Sequence, residues 1–290
     1  MSTRSNENRL GVAPDPPKIN SGNTNQPERE ALNLNFITPT EFVELPSKGA
    51  YYLPTHPLHN KKVIEVKHMT TKEEDILTST ALLKNGLAIH RLLENIIVDK
   101  NIKVEDLLLG DKNALIIAAR THGYGPNYET VVSCPTCTEQ QEYGFDLSSL
   151  KINETSKEEM DEKNIKTTEQ NTFLIPLPKI DYTVEVRLLT DYDEKSLSKI
   201  SEHKKKRKLP ESPITDFLRA IIVSVNEIDD SSSLNSFVNS LPALHARYIR
   251  RVYDSLVPNL DLSHEFNCSN CNYEGILEVP LTADFFWPNA

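Results

Sequence analysis

All four cysteines of this chain fall in two pairs of identical spacing, Cys134-Pro135-Thr136-Cys137 and Cys268-Ser269-Asn270-Cys271, with none left over. Two residues between cysteines let both thiolates of a tight knuckle face one ion. Two such knuckles then make a closed tetrahedral four-sulfur site with no position for water. That is the chemistry of structural rather than catalytic zinc, and Cys134, Cys137, Cys268 and Cys271 are its expected ligands. The pairs stand 130 residues apart (268 − 137 − 1), against roughly 15–20 in a compact ribbon. The reading therefore rests on local context: β-like stretches flank both knuckles, at 128–133 and 142–147 around the first, and before 268 and through Leu281 around the second. A thioredoxin-type CxxC opens a helix, whose dipole lowers the thiol pKa. Pairs set between strands fit a redox dithiol less well. Such an ion would staple residue 134 to residue 271 and make metal binding part of the folding free energy. With four thiols available, His264 is not needed as a ligand and reads as a surface histidine.

Composition excludes several classes. A mean hydropathy of −0.45 and 26% charged residues belong to a water-exposed chain, and no apolar run approaches the roughly 20 residues of a bilayer span. The opening Met1-Ser2-Thr3-Arg4-Ser5 has no apolar stretch behind a basic region, so the expected compartment is cytoplasm, where disulfides are rare. A net charge of −10 repels phosphate backbones unless cations gather on one face. The one dense cluster, Lys204, Lys205, Lys206, Arg207 and Lys208 behind His203, reads as a solvated loop between two helices. It is also the candidate anion-binding loop of a rival reading, a zinc-ribbon nucleic-acid binder. Catalytic motifs are missing: there is no GxxxxGK[ST], GxGxxG, HExxH or GxSxG, and nine glycines leave little for phosphate cradles. The eight histidines are scattered without ligand spacing, and Glu73-Glu74-Asp75 suits the first turn of a helix. No catalytic residue is assigned, and an interaction protein is favoured over an enzyme.

Residues 1–34 read as a flexible arm too poor in large apolar groups to order, with order expected from Phe36. A strand is expected at 63–67. Helices follow from a capping box at Thr71 and Glu74, over 86–98 and over 111–120. The polar, acidic stretch 151–171 reads as a linker. Beyond it come strands at 173–175 and 183–189, a helix opened by Asp191 with Glu194, and helices near 213–225 and 242–256. The two passes share an order of elements. Ile64, Val66 and Thr70 fall on Val184, Val186 and Thr190 at an offset of 120; Leu92 to Val98 fall on Phe217 to Val223 at 125; Leu107, Cys134, Cys137 and Leu147 fall on Leu241, Cys268, Cys271 and Leu281 at 134. An internal duplication follows. The expected fold is α+β, with two related lobes of short helices and β-hairpins, 35–150 and 172–290, joined through a four-cysteine zinc ribbon. Gly49, Gly110, Gly123 and Gly125 are expected in turns. The aromatic end Phe285, Phe286 and Trp287, with Tyr51 and Tyr52 near the start, is either docked on the core or offered to a partner.

Leu45-Pro46-Ser47-Lys48-Gly49, His56-Pro57-Leu58, Glu74-Asp75-Ile76-Leu77, the run from Asp106 to Asn113, Ala119-Arg120 with Gly123-Tyr124-Gly125, Cys134-Pro135-Thr136-Cys137 and Phe285-Phe286-Trp287-Pro288 together resemble the baseplate hub family of T-even-type contractile-tailed bacteriophages. The resemblance runs from about residue 36 to the C-terminus. It implies a non-enzymatic part in building the baseplate hub, beside hub, spike and tape-measure proteins. The implied location is the host cytoplasm during assembly, with the virion tail baseplate as the further possibility.

Overall fold

The computed structural model describes residues 38–281 and 283–286. The expected arm at 1–34, the expected start of order at Phe36, and Trp287 lie outside the described residues. The chain runs through β1 (Thr40–Glu44), β2 (Val63–Lys67), α1 (Thr71–Thr78), α2 (Thr80–Lys84), α3 (Ala88–Ile96), α4 (Leu109–Tyr124), β3 (Asn127–Ser133) and β4 (Gln140–Asp146). It continues through β5 (Ile152–Asn153), α5 (Lys157–Glu162), β6 (Lys166–Thr167), β7 (Phe173–Pro176), β8 (Thr183–Val186), α6 (Asp191–Lys206) and α7 (Pro213–Ile221). It closes with β9 (Ile222–Val225), α8 (Ser231–Ser240), α9 (Ala243–Leu256), β10 (Asn259–Leu260), β11 (Ser263–Asn267), β12 (Glu274–Glu278) and a 3₁₀ turn at Ala283–Phe286. The strands form antiparallel pairs β1-β2, β3-β4, β11-β12 and β5-β10, and one antiparallel sheet in the order β6-β7-β8-β9.

Each half begins alike. A short strand with two inward β-branched residues (Ile64 and Val66; Val184 and Val186) leads to a threonine in extended backbone, and a helix follows. The helices start at Thr71 and Asp191, as expected, but each capping box lies one residue before the expected one. Glu73 reaches back to the Thr70 N–H and Asp193 to the Thr190 N–H, each at 2.9 Å, so each threonine is the cap residue and the acid three positions on satisfies its N–H. The helices over 86–98 and 213–225 also end early. Ile97 leaves α3 to pair with Val66, and Ile222 leaves α7 to pair with Val186 as the start of β9. β-branched runs favour the pleated conformation once a strand edge is within reach.

α4 is buried on several faces, through Ala114, Leu115, Ile116, Ile117, Ala119 and Arg120, because elements of both halves surround it. Gly110 is therefore not in a turn: it lies in the first turn of α4, where a Cβ would stand 1.9 Å from the Pro258 carbonyl oxygen. Gly123 is likewise helical, whereas Gly49 and Gly125 hold φ of +73° and +87°. Lys204, Lys205 and Lys206 of the basic run are helical rather than in a loop, and Arg207 and Lys208 form the turn after them. Lysine is a good helix former, and the run ends α6, where the helix dipole favours cations. The stretch 151–171, read as a linker, carries β5, α5 and β6 and buries Ile165. The two halves share one hydrophobic core. They are also joined by backbone hydrogen bonds from Leu109 N–H to the Leu189 carbonyl at 3.1 Å and from Asp191 N–H to the Leu107 carbonyl at 2.9 Å.

Candidate metal centre

The hairpins β3-β4 and β11-β12 each end in a cysteine knuckle with the same backbone. The Cys134 N–H donates to the Glu139 carbonyl and Thr138 N–H to the Cys134 carbonyl, both at 2.9 Å. In the second hairpin the Cys268 N–H donates to the Tyr273 carbonyl at 2.9 Å and Asn272 N–H to the Cys268 carbonyl at 3.1 Å. The residue after each second cysteine closes the turn in the left-handed region, Thr138 at φ +61° and Asn272 at +53°. Side chains lock one hairpin to the other. Gln141 accepts from the Ser269 N–H at 3.0 Å and donates to the Asn267 carbonyl at 3.1 Å, and the Tyr143 hydroxyl donates to the Glu265 carbonyl.

This packing brings the four cysteines together, with all four Sγ atoms within 4.8 Å of one another. The Cys134–Cys271 and Cys137–Cys268 contacts are 3.7 and 3.6 Å, each joining one hairpin to the other, and all four thiols are free. A tetrahedron built on Zn–S bonds of about 2.3 Å has edges of about 3.8 Å, so the sulfurs stand at the spacing such an ion requires. Cys134 and Cys268 are buried, Cys137 is half-buried and Cys271 faces solvent. Burial works to raise the Cys134 thiol, but N–H donors from Cys137 and Thr136 and the adjacent thiols outweigh it and bring it down to about 7. Burial first, and then the neighbouring sulfurs, push Cys271 up to about 12. Sulfurs this close cannot all ionise unless a cation offsets their mutual repulsion. The donor set and its spacing therefore fit a zinc ion held by Cys134, Cys137, Cys268 and Cys271.

The other expected site residues do not converge. Phe285 and Phe286 are 1% and 0% exposed, and Phe285 packs edge-on against Tyr128 with ring centroids 4.9 Å apart. They close the chain's own core rather than face a partner. Tyr52 is also buried, its hydroxyl donating to Asp111 at 2.7 Å, while Tyr51 is half-buried against Phe173. In the basic run, Lys204 pairs with Asp216 at the α6–α7 junction, and Lys206 reaches Glu202 at 3.4 Å. Part of its charge is already balanced within the chain. His264 packs edge-on against Phe145 and is not one of the grouped ligands.

Three features escaped the sequence reading. Asp111 and Arg120 are fully buried polar residues on a helix whose apolar pattern hid them. His68 and His122, read as scattered, stack with ring centroids 5.1 Å apart beside Glu41. Fifty-four positions separate the two histidines (122 − 68), so no spacing signal could have joined them. The sequence matches the family described as T4 bacteriophage base plate protein over residues 40–287, a span that contains both cysteine pairs. No curated protein and no solved structure matches the chain.

Proposed function

The chain belongs to the T4 bacteriophage base plate protein family, and on that premise we propose that it is a non-catalytic component of the baseplate hub or of its assembly, a protein-interaction scaffold held in shape by structural zinc. The observation that carries this reading is the convergence of four sulfurs from two hairpins 130 residues apart (268 − 137 − 1), within the span that matches the family. A closed four-thiolate ion has no open position for substrate and acts by holding chain segments together. The partners expected are hub, spike and tape-measure proteins, met in the host cytoplasm during assembly. The paired pattern of strands, caps and knuckles supports a duplicated architecture whose halves meet at the ion.

The test has two arms. Elemental analysis of protein purified without added metal is expected to return near-stoichiometric zinc. Affinity capture of the tagged chain from infected cells is expected to retain hub-region tail proteins. Absence of zinc overturns the staple, and capture without any tail protein overturns the scaffold.

A further inference from the structure

We propose that Glu41, His68 and His122 form a second metal site, separate from the cysteine knuckles, for a borderline divalent cation such as Zn²⁺. The ladder of β1 and β2 pairs Val43 with Ile64 and Glu41 with Val66, and the His68 N–H extends it by donating to the Pro39 carbonyl at 2.9 Å. Residues opposite each other share a face, and the side-chain period is two. Glu41 and His68 therefore lie on the same face as buried Val43, Ile64 and Val66. The core face of this ribbon ends in a carboxylate and an imidazole.

His122 comes from the last turn of α4. Its neighbour Gly123 packs beside the methyl end of the Met69 side chain. The stacked rings of His68 and His122, with centroids 5.1 Å apart, bring the end of α4 beside the chain leaving β2. Both imidazoles turn Nε2 toward one carboxylate oxygen, Glu41 Oε2, at 3.5 Å from His68 and 2.8 Å from His122. The three ligand atoms all lie within 4.8 Å of one another. Metal–N and metal–O bonds of about 2.0–2.1 Å set tetrahedral edges near 3.4 Å, so an ion enters with small side-chain shifts.

A plain hydrogen bond accounts for His122 alone, because 3.5 Å is too long for His68 to make a good one to the same oxygen. Two imidazoles and a carboxylate without thiolate select zinc-class ions over magnesium or calcium. A cation is also favoured at a helix C-terminus. The Glu41 side chain is 48% exposed and that of His122 18%, so the site opens to solvent on the Glu41 side, where water completes the coordination.

Calorimetric titration of the full chain with Zn²⁺ tests this. The expected result is one equivalent beyond that held by the cysteines, weakened by more than about tenfold in His68→Ala and in Glu41→Gln. Thermal stability of both metal-free variants is expected to match the parent. Both side chains are partly exposed, so these variants keep the test usable should His122→Ala misfold. In Cys271→Ser the same equivalent is expected to persist, which separates this site from the zinc ribbon. Broadening of the His68 and His122 imidazole resonances by Co²⁺ gives an independent readout. A titration with no equivalent that responds to His68→Ala or Glu41→Gln overturns the proposal.

Discussion

Individual buried polar residues carry more of this fold than their number suggests. The Asp111 carboxylate accepts from the Ser47 N–H at 2.9 Å, the Ser47 hydroxyl at 2.6 Å and the Tyr52 hydroxyl at 2.7 Å. The Tyr52 oxygen in turn accepts from the Leu108 N–H at 3.1 Å. One side chain thus ties the turn around Ser47 to α4. Asp111→Ala leaves those donors buried without an acceptor and should cost about 3 kcal/mol, whereas Asp111→Asn keeps one acceptor oxygen and should cost less. Urea unfolding measures both, and equal losses would contradict the network. Arg120 similarly donates to the carbonyls of Phe285, Gly125 and Asn127, anchoring the final turn. Thr138 is a β-branched residue held at φ +61°, a conformation that Asn tolerates better. Thr138→Asn, which copies Asn272 of the other knuckle, should raise stability by about 0.5–1 kcal/mol, seen as a higher urea midpoint.

At the scale of elements, the close approach of α4 to Pro258 and Asn259 leaves no room for a methyl group. Gly110→Ala gains helix propensity, yet its Cβ would meet the Pro258 carbonyl at 1.9 Å. The steric term should win by roughly 1–3 kcal/mol or more. A rise in the denaturation midpoint would show instead that the helix is free to shift. The capping acids are an intermediate case. A Thr followed three residues later by an acid predicts a box in either register, and the local pattern admits Thr71 with Glu74 as readily as Thr70 with Glu73. The strand ending at Lys67 and its extended exit select the earlier register. Similarly, Ile97 and Ile222 satisfy a helical pattern in sequence, and a strand edge beside them takes them out of it.

For the whole molecule, buried electrostatics join the earlier part of the chain to the later part. Asp191, at the start of α6, receives Lys112 from α4 and Lys195 from its own helix, each at 2.7 Å, with His90 of α3 at 3.3 Å. Burial works to raise the Asp191 carboxyl, but hydrogen bonds and charge from Lys112 and Lys195 outweigh it and hold it below its ordinary 3.8. A depressed folded-state value contributes stability above the unfolded value and loses it as pH falls. The protein should therefore weaken below about pH 4, and Asp191→Asn should flatten that acid limb while costing roughly 1.5–3 kcal/mol at neutral pH, because Lys112 loses one charged partner and keeps Glu194. Acid titration of the urea midpoint checks both. Removing zinc with a strong chelator should lower Tm by on the order of 10 °C, and an unchanged melt would mean that the shared core alone holds the hairpins together.

Cys134, Cys137, Cys268 and Cys271 could be read from sequence as one group because CxxC encodes local geometry: two thiols a knuckle apart must face the same way wherever the hairpin ends up. The strands at 63–67 and 128–133 and the helical character of 88–96 and 111–120 were legible for the same reason, since each is set by contacts a few residues long. Which hairpin meets which, why Phe285 turns inward, why Gly110 is glycine, and that His68 and His122 stand against Glu41 are outcomes of packing. These contacts join positions from 27 (68 − 41) to 165 residues apart, and residues so far apart come together only because apolar faces bury one another around α4. No short-range pattern encodes that arrangement, and only the tertiary structure decided it.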